Sequence, residues 1–316
     1  MRLSEGRSPG RRNTSQPGWA VNLVADLSDI TPGGVSVPCR PWDIGTGVQG
    51  YAWSAPQPKA VLLLQHGFGA HTGLFLNLCN GLISRLLTIG ISVAAFDMWG
   101  HGRSPGRRGV TDVRAAVDDH LIARRELRSS GLPVFLMGHS LGGFVTSCSV
   151  AQEPDGLAGA IVISAPQPSG FGPVSRWLVN LLAAAAPGSK APVKAAPPDT
   201  LSRCPDLLAQ IVADPLVYKG WATTNMVAAT ALEAAQQATP RLSAWRTPTL
   251  VMHGTDDASI PVADSRRLFE AISSADKTLH LVDKGRHDLL NDSDRDAVTQ
   301  ALLRWLQARV ITPTHA

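Results

Sequence analysis

Hydrophobic positions along the chain fall into short unbroken runs separated by amphipathic stretches. Ala60 to Gln65 (AVLLLQ), Ile91 to Phe96, the run that begins at Val134, Ala160 to Ser164, Thr249 to Met252 and Thr278 to Val282 show no alternation. Such runs are the pattern of strands covered on both faces, as in a parallel sheet. Between them, Thr111 to about Ser130 carries Val113, Ala116, Val117, Leu121 and Leu127 at helical spacing and is closed by Gly131 and Pro133. Further helices are predicted over Gly142 to Val150, Val262 to Ile272 and about Arg295 to Val310. Upstream, alternating segments around Val37, Val48 and Trp53, with turns at Gly45 and Gly47, predict a hairpin between Val35 and about Pro56. Strands alternating with helices imply an α/β fold, a mostly parallel central sheet flanked by helices.

The rhythm breaks after Ala165. From about Pro166 to Ser243 no strand is predicted, but Ala, Pro and Leu abound and Val174, Leu178, Leu181 and Ala185 form a helical stripe. An insertion of this kind between two strands of a sheet predicts a helical lid over residues 166–243, placed after the sixth strand, with the core formed by residues 35–165 and 244–316. Phe171, Trp177, Leu178, Leu181 and Leu182 exceed what one buried face requires. That surplus predicts an apolar tunnel or a surface that touches lipid. Residues 1–34, rich in Arg, Ser, Gly and Pro, read as a flexible arm.

Composition narrows the classes. With 44% hydrophobic and 17% charged residues the chain has ample material for a core. Of the net charge of +4, three units lie before Trp19, where Arg2, Arg7, Arg11 and Arg12 face only Glu5. No basic stripe interleaved with aromatics follows, so nucleic acid is not an expected partner. Cys39, Cys79, Cys148 and Cys204 are scattered without CxxC spacing, which suggests neither a zinc site nor a disulfide framework. No apolar segment reaches signal-peptide or membrane-span length, and a cytoplasmic protein, peripheral to membrane at most, is expected.

The candidate chemistry centres on Gly138-His139-Ser140-Leu141-Gly142, followed by Gly143, where a strand turns into a helix. GxSxG in this setting is a nucleophile elbow, a strained turn that lifts the serine hydroxyl above the sheet. Ser140 is the candidate nucleophile. His66-Gly67-Phe68-Gly69-Ala70-His71 follows the strand ending at Gln65. A dinucleotide loop would need a third glycine where Thr72 stands and an acidic residue ending the next strand, so the loop reads instead as the source of an oxyanion-binding amide. The donors are then the backbone N–H groups of Phe68 and Leu141. A serine needs a base and an acid that orients it, in the order Ser, Asp, His on this fold. His287, in a loop after the last strand, is the base, and Asp256 or Asp257 is the acid. Asp97 and His101, in the loop after the strand ending at Phe96, read as structural residues that hydrogen-bond loop backbone.

Seven blocks in order carry a resemblance: HGFGAH at 66–71, DMWGHGRSPGRRG at 97–109, GHSLGG at 138–143, SAP at 164–166, DPLVYKG at 214–220, HGTDDASIP at 253–261 and GRHDLLND at 285–292. Together they resemble the α/β-hydrolase superfamily, and within it the monoacylglycerol lipase and lysophospholipase group. The resemblance implies Asp257 as the acid, His287 as the base, and hydrolysis of a single-chain glyceride or similar ester through an acyl-enzyme, with no metal or cofactor. The group usually has an acidic residue where this chain has Ala70. General carboxylesterase, lysophospholipase, thioesterase and cofactor-free perhydrolase activities are the nearest alternatives; a hydrolase-like ligand-binding protein without turnover is the alternative of another class. The expected partner is a small ester with an acyl chain, and the lid is the expected place of any lipid contact.

Overall fold

A computed structural model describes residues 37–168, 173–192 and 197–310. The arm expected over residues 1–34 and Phe171, one of the surplus apolar residues of the insertion, lie outside the described residues. Eight strands form one sheet: β1 Arg40–Trp42, β2 Gly50–Trp53, β3 Ala60–Gln65, β4 Ile91–Phe96, β5 Val134–His139, β6 Gly159–Ile163, β7 Thr249–Gly254 and β8 Lys277–Val282. Their order is β1-β2-β4-β3-β5-β6-β7-β8. The predicted hairpin is the antiparallel pair β1–β2, and β2 also pairs antiparallel to β4; the remaining five pairs run parallel.

The helices are α1 Leu74–Asn77, α2 Leu82–Thr88, α3 Val113–Arg128, α4 Leu141–Gln152, α5 Pro173–Ala185, α6 Pro205–Ala213, α7 Asn225–Ala238, α8 Val262–Ala271 and α9 Arg295–Val310. The periodicity gave no sign of α1 and α2. There the helical pattern is interrupted by Cys79, Asn80 and Gly81, all with positive φ (50°, 56° and 61°), which break it into two short pieces.

Successive strand residues point to opposite faces, and both faces are covered. Leu62, Leu64, Phe135, Met137, Ile161 and Ile163 pack with Leu82, Ile83 and Leu86 of α2 and Leu302 and Leu306 of α9. Val61, Leu63, Phe96, Leu136, Val162 and Val251 pack with Val113, Val117 and Leu121 of α3, Phe144, Val145 and Cys148 of α4 and Leu268 of α8. Burial on two sides explains why these strands read as continuous apolar runs. Cys39, Cys79 and Cys148 are buried free thiols, and Cys204 is partly exposed.

Among the described residues the stretch between β6 and β7 holds helices and irregular segments, and its only β pairing is an isolated bridge between Lys190 and Thr224. Its last helix, α7, packs Val227, Ala234, Ala235 and Ala238 into the α3–α4 layer. Its first, α5, turns Val179 and Ala183 toward Ala229 and Leu232 of α7 and leaves Val174, Trp177, Leu178 and Leu181 exposed. Leu63, on the central strand β3, is fully buried. Leu63→Ala should lower the unfolding free energy by about 3 kcal/mol through lost burial and a cavity, read as a fall in the urea midpoint at unchanged slope.

Candidate active site

The reactive groups gather at the carboxyl edge of the sheet, where reading its order predicts a ligand crevice. Ser140 follows β5 directly and caps α4 with φ 55° and ψ −123°, a conformation that side chains rarely adopt. It is held there because the Ser140 N–H donates to the Ile163 carbonyl at 2.8 Å and the Ser140 carbonyl accepts from Phe144 N–H at 3.0 Å. Two glycines make room: a Cβ on Gly138 would lie 2.2 Å from the Gly142 oxygen, and one on Gly142 would lie 2.3 Å from the Gln65 oxygen.

Ser140 Oγ lies 2.9 Å from His287 Nε2, and His287 Nδ1 lies 2.8 Å from Asp257 Oδ2. The three residues named from sequence are therefore in hydrogen-bond contact, although they come from loops after β5, β7 and β8. The carboxylate is fully buried. Its other oxygen, Oδ1, accepts from the N–H groups of Ser259 (2.8 Å) and Ile260 (2.9 Å). Burial alone would raise the Asp257 pKa, but hydrogen bonds from His253, His287 and the Ile260 amide outweigh it and hold the carboxyl well below its ordinary range. Asp256, the rival acid, is exposed, and its N–H is tied to the Gly285 carbonyl.

The loop after β3 is set by His66, which is buried, with burial lowering its pKa. His66 Nε2 accepts from Met98 N–H at 2.9 Å, so the ring proton sits on Nδ1 and donates to the Gly67 carbonyl at 2.8 Å. A trans peptide directs its C=O and N–H in opposite directions, so anchoring the Gly67 oxygen fixes the direction of the Phe68 N–H. Neither that N–H nor the Leu141 N–H has a protein acceptor among the described residues. Leu141 opens α4, where the first amides lack intrahelical partners. Such free amides suit a developing negative charge. The sequence had pointed to the loop and not to His66, whose signal is only its place beside Gly67.

Asp97 and His101 play the structural parts expected of them. Asp97 accepts from Thr72 N–H (2.8 Å), Arg103 N–H (2.8 Å) and the Tyr51 hydroxyl (3.1 Å). His101 lies 3.2 Å from the Trp99 carbonyl through Nδ1, and burial first, then His66, lowers its pKa to about 3.

A cavity of about 210 Å3 opens beside Ser140 and His287. Phe68, Ala70, Leu74, Phe75 and Ile260 of the core and Leu201, Ile211, Val217, Tyr218 and Trp221 of the inserted stretch line it, with Asp288 and Asn291 as a polar patch. The inserted stretch is joined to the loop after β3 by Tyr218 N–H donating to the Gly69 carbonyl (2.8 Å) and by His71 Nε2 donating to Asp214 Oδ2 (3.0 Å). None of these wall residues from the insertion was singled out as a site residue in the sequence. Among the described residues no group of His, Cys, Asp and Glu could hold a metal ion.

A hydroxyl within reach of an imidazole that a carboxylate orients can become a nucleophile. The family of serine aminopeptidases S33 matches residues 56–294. The chain belongs to that family of α/β hydrolases. It is 32% identical to the monoacylglycerol lipase of Mycolicibacterium smegmatis over 256 residues, covering 79% of this chain and 88% of the relative. It is 29% identical to the Homo sapiens monoglyceride lipase, covering 81% and 84% of the two chains. The crystal structure of the Paleococcus ferrophilus monoacylglycerol lipase superimposes with a TM-score of 0.71 at 28% identity, covering 82% of this chain and 99% of that one. With these relatives, the chain is a serine ester hydrolase.

Because Asp257 ionises more readily folded than unfolded, its contribution to stability is complete above its ordinary pKa of about 3.9 and is lost as pH falls toward the lower folded value. Asp257→Asn removes that contribution. The drop in urea midpoint between pH 6 and pH 3 should therefore be larger for the unsubstituted protein than for the variant.

Proposed function

We propose that this hydrolase cleaves monoacylglycerol-like esters, with Ser140 as nucleophile, His287 as base, Asp257 as the acid that orients it, and the Phe68 and Leu141 amides as the oxyanion hole. The observation that carries the reading is the unbroken Asp257–His287–Ser140 hydrogen-bond chain at 2.8 and 2.9 Å, opening on a mainly apolar cavity. The names of the bacterial and human relatives, both monoglyceride lipases, support the substrate class.

In the first half-reaction the Ser140 proton passes to His287 Nε2 as Oγ bonds to the ester carbonyl carbon. The carbonyl oxygen takes the negative charge and accepts from the two amides. Collapse breaks the bond to the alkoxy oxygen, which leaves with the proton from His287. In the second half a water gives its proton to His287, attacks the acyl carbon and releases the acid as Ser140 regains its proton. Asp257 keeps the imidazole oriented throughout and stabilises its charged form. Residues 166–243 act as the lid, whose Leu201, Ile211, Val217 and Trp221 offer the acyl chain an apolar wall.

The same reading assigns the exposed face of α5 to lipid contact. Val174 and Trp177 are 78% and 65% exposed, with Leu178 and Leu181 on the same helix. No helix among the described residues is long and apolar enough to cross a membrane, so contact of this kind would be peripheral.

Ser140→Ala should lower turnover by about a millionfold on a series of monoacylglycerols and p-nitrophenyl esters, and should abolish labelling by a fluorophosphonate probe. Hydrolysis of amino-acid p-nitroanilides in preference to all esters would overturn the substrate class. Trp177→Glu combined with Leu181→Glu should reduce sedimentation with phosphatidylcholine–phosphatidylglycerol vesicles while leaving hydrolysis of a water-soluble short-chain ester unchanged; undiminished sedimentation would refute the lipid contact.

A further inference from the structure

The acid of the site has a second imidazole behind it. His253, the penultimate residue of β7, is fully buried. Its Nε2 lies 3.0 Å from the Ile260 carbonyl and 3.2 Å from Asp257 Oδ2. Both neighbours only accept, so Nε2 carries a proton shared between them. Nδ1 lies 2.7 Å from Ser265 Oγ on α8, which leaves the hydroxyl as donor to that nitrogen. One hydrogen-bond chain thus runs from Ser265 through His253, Asp257 and His287 to Ser140.

We propose that His253, held by Ser265, is a positioning residue for the triad: it fixes Asp257 Oδ2 and takes up part of its charge, and so tunes the basicity of His287. The proposal rests on the triad reading above. Asp257 Oδ2 receives two imidazole N–H groups, one from β7 and one from the loop after β8. A carboxylate that shares its charge with His253 attracts a proton on His287 less strongly than one bonded to His287 alone. Other charged or titratable groups nearby are His139, whose ring lies 5.0 Å from that of His287 and whose Nε2 donates to the His287 carbonyl, the chain neighbours Asp288 and exposed Asp256, and Arg286, whose guanidinium donates to the Asp199 and Ser202 carbonyls. On α8, Asp264 is already engaged by the Gln167 N–H and the Arg267 guanidinium. Among the described residues, His253 and His287 alone place an imidazole on Asp257.

A buried histidine that served packing only would affect stability and leave the proton chemistry alone. The test measures kcat and KM against pH on a water-soluble short-chain ester for the unsubstituted protein, His253→Phe, His253→Gln and Ser265→Ala, with urea unfolding in parallel. In His253→Phe, kcat should fall about 10- to 100-fold. The acid limb of kcat/KM should also move to higher pH by about half a unit or more, because Asp257 then acts on His287 undiluted. Ser265→Ala should shift the limb in the same direction by less, and His253→Gln, which keeps an N–H donor, should recover part of the rate. An acid limb that stays in place in folded His253→Phe, or a change confined to KM, overturns the proposal. If His253→Phe does not fold, an unmoved limb in Ser265→Ala overturns it on its own. Failure of the triad reading would look different: the unsubstituted protein would resist the fluorophosphonate, or Ser140→Ala would remain active.

Discussion

The backbone contact at the elbow is the constraint on which the site depends. Ser140 adopts a positive φ of 55°, and the conformation is kept because β5, α4 and the end of β3 approach so closely that no side chain fits between them. Gly138 meets the Gly142 carbonyl, and Gly142 meets the carbonyl of Gln65. The same approach brings the loop after β3 against Ser140, so that the Phe68 and Leu141 amides, from different elements, are near the one hydroxyl. A strained residue of this kind persists only where its surroundings over-determine it. Here they do so with two backbone hydrogen bonds and two glycines.

Around that point, preorganisation is achieved by fixing groups from behind. His66 holds the Gly67 carbonyl and thereby aims the amide on the other side of the peptide plane. The Ser259 and Ile260 amides occupy Asp257 Oδ1, which leaves Oδ2 for imidazoles. The carboxylate is buried, yet its pKa is depressed, because four donors converge on it. A site assembled this way needs little rearrangement as charge develops, which is the main source of electrostatic stabilisation in enzymes.

Much of this was legible in the chain. Doubly buried strands announce themselves as unbroken apolar runs, and the six that were named match β3 to β8 within a residue or two at either end. The GxSxG turn, the glycine loop after β3 and a histidine after the last strand pointed to three segments that meet at the cavity, since this fold brings loops after parallel strands to one edge. The choice between Asp256 and Asp257 was open from spacing alone and needed the family resemblance. What escaped was of another kind. The short helices α1 and α2 were hidden by three consecutive positive-φ residues that interrupt the helical period. His66 and His253 read as strand-end residues, because a ring's hydrogen-bond partners depend on contacts between distant segments that no periodicity encodes. Ser265 was one polar position on a helix.

The insertion shows why mechanism and substrate preference can vary separately on this frame. β6 and β7 pair in parallel, Ala160 opposite Thr249, whatever lies between them. Closing a longer loop between two fixed strands adds only about 0.6 kcal/mol per doubling of its length, so a helical segment can be placed there without disturbing the sheet. Ser140, His287, Asp257 and the Phe68 and Leu141 amides come from the core, whereas Leu201, Ile211, Val217, Tyr218 and Trp221 of the cavity wall come from the insertion. The two parts meet over the buried face of α7 and at hydrogen bonds to two of the site's loops: Tyr218 N–H on the Gly69 carbonyl and Asp214 on His71, then Asp288 N–H on the Leu201 carbonyl (2.9 Å) and Arg286 on the Asp199 and Ser202 carbonyls. The first two lie on the loop that carries the Phe68 amide, the others on the loop that carries His287. A change in the insertion that reshaped the wall away from those contacts would therefore leave Ser140, His287 and Asp257 in place, and would reach the chemistry only through those two loops.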